Sequence, residues 1–177
     1  MEDKDQLIHH KLLHFPAPLA RVASRPQGEK KGDVVSKGSN VNLVGGTFYL
    51  SHKTQEEMIK HCRNELPYEA CGLLSGRNGI ATTCWPMKNI HKSPVSFAMD
   101  KNQIAQVFDS MNKNGESLLG IYHSHPTDRA HPSRADITYN NYPELGYFVI
   151  SLTKKHPVVK CFCMKNNKVT ELKVILM

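Results

Sequence analysis

Two histidines one residue apart, His123 and His125, are followed by a hydroxyl at Ser133 and a carboxylate at Asp136. Residues two apart in a strand point to the same side, so both imidazoles can be presented to one ion. A loop and the start of a helix can bring Asp136 back to that point. Two His and one carboxylate make three protein ligands, the pattern of a catalytic zinc site whose fourth position is left to water; a structural site would be closed by four. Read alone, Ser133-x-x-Asp136 is a capping box that opens a helix. Beside the His pair the metal reading is favoured, because one ion accounts for all three ligand positions.

Positioning these groups requires a strand over 118–123, a loop to Pro132 and a short helix over 133–141. Around them the text is regular. Residues 47–50 read as a strand, and Thr54-Gln55-Glu56-Glu57 has capping-box form ahead of a helix that carries Met58, Ile59 and Cys62 and ends before Pro67. Residues 71–75 and 80–87 read as a strand pair turning at Gly76-Arg77-Asn78-Gly79. Asp100 can cap a second helix with Ile104, Val107, Phe108 and Met111 as its apolar stripe, stopped at Asn114-Gly115. Runs at 147–152, 158–164 and 168–176 complete a mixed sheet flanked by helices.

The 177 residues suit one domain of roughly 100–200 residues. No run approaches the ~20 apolar residues of a membrane span. The N-terminus opens on Glu2, Asp3 and Asp5 and lacks the apolar stretch of a signal peptide, so a cytoplasmic protein is expected. Five cysteines, an odd number in a chain with its own core, argue against a disulfide framework. Residues 1–46, rich in Gly, Pro, Ser and Lys, predict a flexible, mostly disordered tail, and 47–177 the folded domain. The net charge of +7 favours acidic partners. Nucleic acid is disfavoured, because basic residues of the folded part are scattered, with only Lys154-Lys155 adjacent and no stacking motif beside them.

The string His123-Ser124-His125-Pro126, then Ser133 and Asp136, resembles the JAMM (MPN-plus) metalloprotease motif. Pro67-Tyr68-Glu69-Ala70-Cys71-Gly72-Leu73-Leu74-Ser75-Gly76 is similar to the family's upstream P-x-E-x-C-G-x-L-x-G block, and the two occur in the family's order. The resemblance covers residue 47 to the C-terminus. It implies an α/β (α+β mixed-sheet) fold, a single cytidine-deaminase-like MPN domain with flanking helices. It further implies zinc held by His123, His125 and Asp136, Glu69 rather than Glu65 as acid/base, and Ser133 as hydrogen-bond donor to the oxyanion, a role worth ~3 kcal/mol. The implied reaction is hydrolysis of the peptide or isopeptide bond after the C-terminal Gly-Gly of a ubiquitin-like or sulfur-carrier protein. Compact prokaryotic members are the nearest in style. Thr138 stands where ubiquitin-directed relatives place a His of a second zinc site. The alternative is a non-catalytic MPN scaffold, a type that usually lacks the ligands this chain keeps.

Three further features are weighed from the residues. Cys71 reads as a small buried hydrophobe. Cys161 and Cys163 read as core, with a second metal site shared with His156 as the lesser reading. The stretch Val41 to Gly46, ending Gly45-Gly46, looks like a ubiquitin-like C-terminus but reads foremost as a hinge.

Overall fold

The computed structural model describes residues 46–177. The expectations for the tail and for 41–45 lie outside the described residues; Gly46, the first described, accepts a hydrogen bond from Lys173 N–H at 2.7 Å.

The elements are β1 (Thr47–Leu50), α1 (His52–Asn64), β2 (Cys71–Arg77), β3 (Ile80–Met87), α2 (Lys101–Lys113), β4 (Ser117–His125), α3 (Arg134–Thr138), β5 (Gly146–Ser151), β6 (Val158–Lys165) and β7 (Lys168–Leu176). The mixed sheet and flanking helices are as the sequence predicts. The strands follow the order β1-β3-β2-β4-β5-β6-β7 and close into a barrel, because β1 pairs in parallel with both β3 and β7. β4 runs antiparallel to β2 and parallel to β5. Covered on both edges, it is buried from Leu119 to His125.

Each long helix covers one apolar cluster. Met58 and Cys62 of α1, one turn apart, face Phe48, Leu74, Tyr122 and Phe148. Ile104, Phe108 and Met111 of α2 face Leu73, Ile121, Tyr147 and Phe162. These i, i+4 and i, i+7 spacings are single-face stripes of a 3.6-residue period.

The caps explain where the helices begin. Asp100 caps α2 through the Gln103 N–H, as expected. The α1 cap is Ser51, not Thr54: Ser51 Oγ accepts from Thr54 N–H at 3.1 Å, and the two hydroxyls pair at 2.7 Å. Thr54 is therefore a buried third-position residue, and the helix starts at His52. The β2–β3 turn is tighter than the four residues suggested, with Asn78 and Gly79 at φ 53° and 78°. That pair of positive φ values is the mirror-image turn that Asn-Gly favours in two-residue hairpins. None of the described helices is long and apolar enough to cross a membrane.

Candidate metal centre and active site

β4 carries both histidines, extending two residues past the predicted end of the strand at 123. Alternation turns Ile121, His123 and His125 to the side that α2 covers, and Tyr122 and Ser124 to the side that α1 covers. The β2 register then delivers Glu69. Cys71 pairs with His123, and the ladder continues past the strand end through Ser124 N–H to the Ala70 carbonyl at 2.9 Å. Two residues further along, Glu69 lies opposite His125.

Asp136 arrives from the other side, on the first turn of α3. Ser133 caps that helix in a complete capping box: its Oγ accepts from Asp136 N–H at 3.1 Å, while Asp136 Oδ2 accepts from Ser133 N–H at 2.7 Å. The helix, Arg134–Thr138, is shorter than the 133–141 expected. The capping and site readings of Ser133 and Asp136 are thus both realised, since the box is what turns the carboxylate inward. Its Oδ2 lies 3.3 Å from His123 Nε2 and 3.8 Å from His125 Nε2, and the two Nε2 atoms are 3.0 Å apart.

Donors at 2.0–2.1 Å around a tetrahedral zinc stand about 3.4 Å from one another, and the three observed separations bracket that value. The tautomer agrees. His125 Nδ1 lies 2.9 Å from the Arg129 carbonyl, which can only accept, so Nδ1 carries a proton and the ring, when neutral, presents its Nε2 lone pair to the cluster. His123 Nδ1 is buried without a hydrogen-bond partner. Its ring is held by stacking on Phe97, centroids 4.9 Å apart at 24°, and by the edge of Tyr147. Among the described residues this is the one group of three His, Cys, Asp or Glu side chains able to hold a metal ion, and its chemistry fits zinc.

Glu69, His125, Ser133 and Asp136 line a cleft of about 150 Å³ with Val95, Phe97 and Asp128. Burial pushes the Glu69 carboxyl above the usual carboxylate range, an effect that His123 and His125 oppose and Asp136 reinforces. Burial would also raise Asp136, but the charge and hydrogen bond of His123, with bonds from His125 and Ser133, hold it well below that range. For His125, burial disfavours the protonated ring; the bonds to Asp136 and the Arg129 carbonyl outweigh it and raise the pKa. The Ser133 hydroxyl, predicted as an oxyanion donor, donates to Asp136 Oδ2 at 2.7 Å.

One positioning residue has no signature in the sequence. Asn89 is 4% exposed and donates to the carbonyls of Glu69 and Ser96 while accepting from His91 and Ala98 N–H. With Glu69 N–H on the Ser93 carbonyl, it folds the loop after β3 against the acid/base candidate. Other candidates fall away from the site. Cys71 sits at 0% exposure in the apolar cluster under α2. Cys161 is buried and Cys163 donates to the Pro143 carbonyl, with His156 exposed outside any metal-binding group.

Residues 51–164 match the family described as prokaryotic homologs of the JAB domain. The chain is 34% identical over 101 residues to the CysO-cysteine peptidase of Mycobacterium tuberculosis, covering 56% of this chain and 69% of that protein. It is 35% identical over 109 residues to a probable TtuB-protein conjugate cleaving protease of Thermus thermophilus, covering 59% and 73%. The solution structure of protein DSY2949 from Desulfitobacterium hafniense superposes with a TM-score of 0.68 at 39% identity, covering 73% of this chain and 92% of that one.

Proposed function

This chain belongs to the prokaryotic JAB-domain family, and from that premise we propose that it is a zinc-dependent peptidase acting on the amide bond after the C-terminal Gly-Gly of a ubiquitin-like or sulfur-carrier protein. The observation that carries the reading is the convergence of His123, His125 and Asp136 on the wall of a cleft that Glu69 also lines. Relatives named for a CysO-cysteine adduct and for TtuB conjugates support the substrate class. A Gly-Gly tail suits the cleft, since a backbone without side chains can approach the reacting centre closely.

Zinc bound by the three residues would supply a Lewis acid for the scissile carbonyl and acidify a water to near neutrality. Every other step belongs to the chain. Glu69, with its raised proton affinity, takes the proton of the attacking water and returns it to the departing amine. Phe97 and Tyr147 fix the plane of His123, and the Arg129 carbonyl fixes the tautomer of His125. Ser133 exchanges its bond to Asp136 for one to the carbonyl oxygen as negative charge develops there. Residues 47–177 carry this activity as one domain. Five free cysteines support a reducing, cytoplasmic setting.

The test is elemental analysis of protein purified without added metal, followed by assay on a sulfur carrier extended by cysteine after Gly-Gly. About one zinc per chain, lost in His123→Ala/His125→Ala, is expected from a three-ligand site. Glu69→Gln should retain zinc and the circular dichroism of the wild type while losing at least ~10³ in kcat. Failure to take up zinc on titration would overturn the reading in favour of a non-catalytic scaffold.

A further inference from the structure

Beside the cleft the described surface carries a group of cationic side chains that take part in none of the ion pairs of the described residues. α1 ends at Arg63 and Asn64, and Arg63 Nη2 donates to the Lys155 carbonyl at 3.2 Å. This bond joins the helix end to the β5–β6 connection and makes one ridge on which Arg63, Lys154 and Lys155 are all exposed. The same connection is tied to the site. Leu152 N–H donates to the His125 carbonyl at 3.0 Å, and Ser151 Oγ donates at 2.6 Å to the carbonyl of Asp128, a residue of the cleft wall. Among the described residues, the lysine ion pairs are Lys53–Glu57 and Lys160–Glu171, and none involves the ridge. Residues 151–160 contain no Asp or Glu.

We propose that this ridge is the docking surface for the folded body of the carrier, which meets it with an acidic face while the carrier's tail enters the cleft. The proposal rests on the peptidase reading for the identity of the partner. A cleft wide enough for a tail makes few contacts, so recognition of the carrier needs a second surface nearby. Like charges at the rim of such a cleft speed encounter by 10- to 10³-fold and leave a salt-dependent association rate. Nucleic acid fits less well. Neither residues 151–160 nor the last turn of α1 holds a Phe, Tyr or Trp on which a base could stack, and three cations fall short of the ~6–10 phosphate contacts of a charge-tracking groove.

The experiment is fluorescence anisotropy of a labelled, net-acidic ubiquitin-fold sulfur carrier lacking its Gly-Gly, titrated with wild type and with Lys154→Glu/Lys155→Glu at low and high salt. The expected result is a tenfold or greater loss of affinity at low salt in the charge-reversed variant, with the salt dependence flattened. Arg63→Lys should bind as wild type and Arg63→Glu should not, separating charge from the hydrogen bond to Lys155. Hydrolysis of a short Gly-Gly peptide amide should be unchanged in all of them. Unchanged carrier affinity on charge reversal overturns the proposal. So does a loss confined to a labelled single-stranded oligonucleotide, which would make the ridge a nucleic-acid surface. Carrier docking without peptide hydrolysis would remove the peptidase reading and leave the surface; hydrolysis without charge-dependent docking would do the reverse.

Discussion

On the α1 side of β4, Tyr122 OH meets His61 Nδ1 at 2.8 Å and the Cys84 thiol at 3.5 Å, and Ser124 Oγ accepts from Ala70 N–H at 2.8 Å. On the α2 side, one residue out of phase, two Nε2 atoms confront each other at 3.0 Å beside a carboxylate, and His123 Nδ1 has no partner. Both faces are buried and both are polar. The first is answered by the chain's own donors and acceptors, so it can serve the fold alone. The second brings two ring nitrogens and a carboxylate oxygen within 4 Å of one another, an arrangement answered only by a proton shared among them or by a cation. Burying an unanswered polar group costs ~1–3 kcal/mol, which folding alone would not retain.

The sharpest way to strain this contrast is Ser133→Ala, because Ser133 belongs to both the fold and the site. As an oxyanion donor its loss should reduce kcat on a Gly-Gly carrier conjugate by ~10²- to 10³-fold. As the cap of α3 its loss should cost only about 0.5–2 kcal/mol in denaturant unfolding. A variant that loses the stability but keeps kcat would make Ser133 a cap and nothing more. Next in size is Gly72→Ala, which acts on the other face. A Cβ at Gly72 would lie 2.3 Å from the Tyr122 ring, so the ring or the strand must shift. Overpacking of this kind costs ~1–3 kcal/mol. Zinc content should stay at the wild-type level, and a parallel loss of zinc would show that the two faces are not independent.

The contrast also marks what the sequence could disclose. The His pair and Asp136 were legible because strand alternation and a helix cap follow local rules, and the hairpin could be read from Gly76-Arg77-Asn78-Gly79, although the turn itself is only its last two residues. The α1 start was misread because Ser51 and Thr54 both offer a capping hydroxyl, and only the packing of Thr54 decides between them. Barrel closure depends on β1 meeting β7, more than a hundred residues apart, and no local pattern reports it. Asn89 was invisible for the same reason: three of its partners, His91, Ser96 and Ala98, lie on the irregular loop after β3, and the fourth is the Glu69 carbonyl, 20 residues upstream.

The smallest effect is expected from pH, and buried thiols on both faces contribute to it, Cys71 under α2 among them. Burial pushes the Cys62 thiol from an ordinary 9.0 to about 12, opposed by its bond to Ser124 and reinforced by Cys84. Burial pushes Cys84 to about 11, opposed by its bond to Tyr122. A thiol whose folded value lies above its unfolded one keeps its proton where the unfolded chain has already released it. Its contribution is complete below pH 9 and declines as pH rises toward the folded value. By pH 10 the loss amounts to about 1 kcal/mol for each such thiol. Urea midpoints followed from pH 7.5 to 10.5 should therefore be level at first and then fall. Cys62→Ala should start lower, because it opens a small cavity, yet fall less steeply. An alkaline slope that survives intact in Cys62→Ala would mean that Cys62 is not sealed from solvent as its 0% exposure implies, and the α1 face would lose its standing as the closed side of β4.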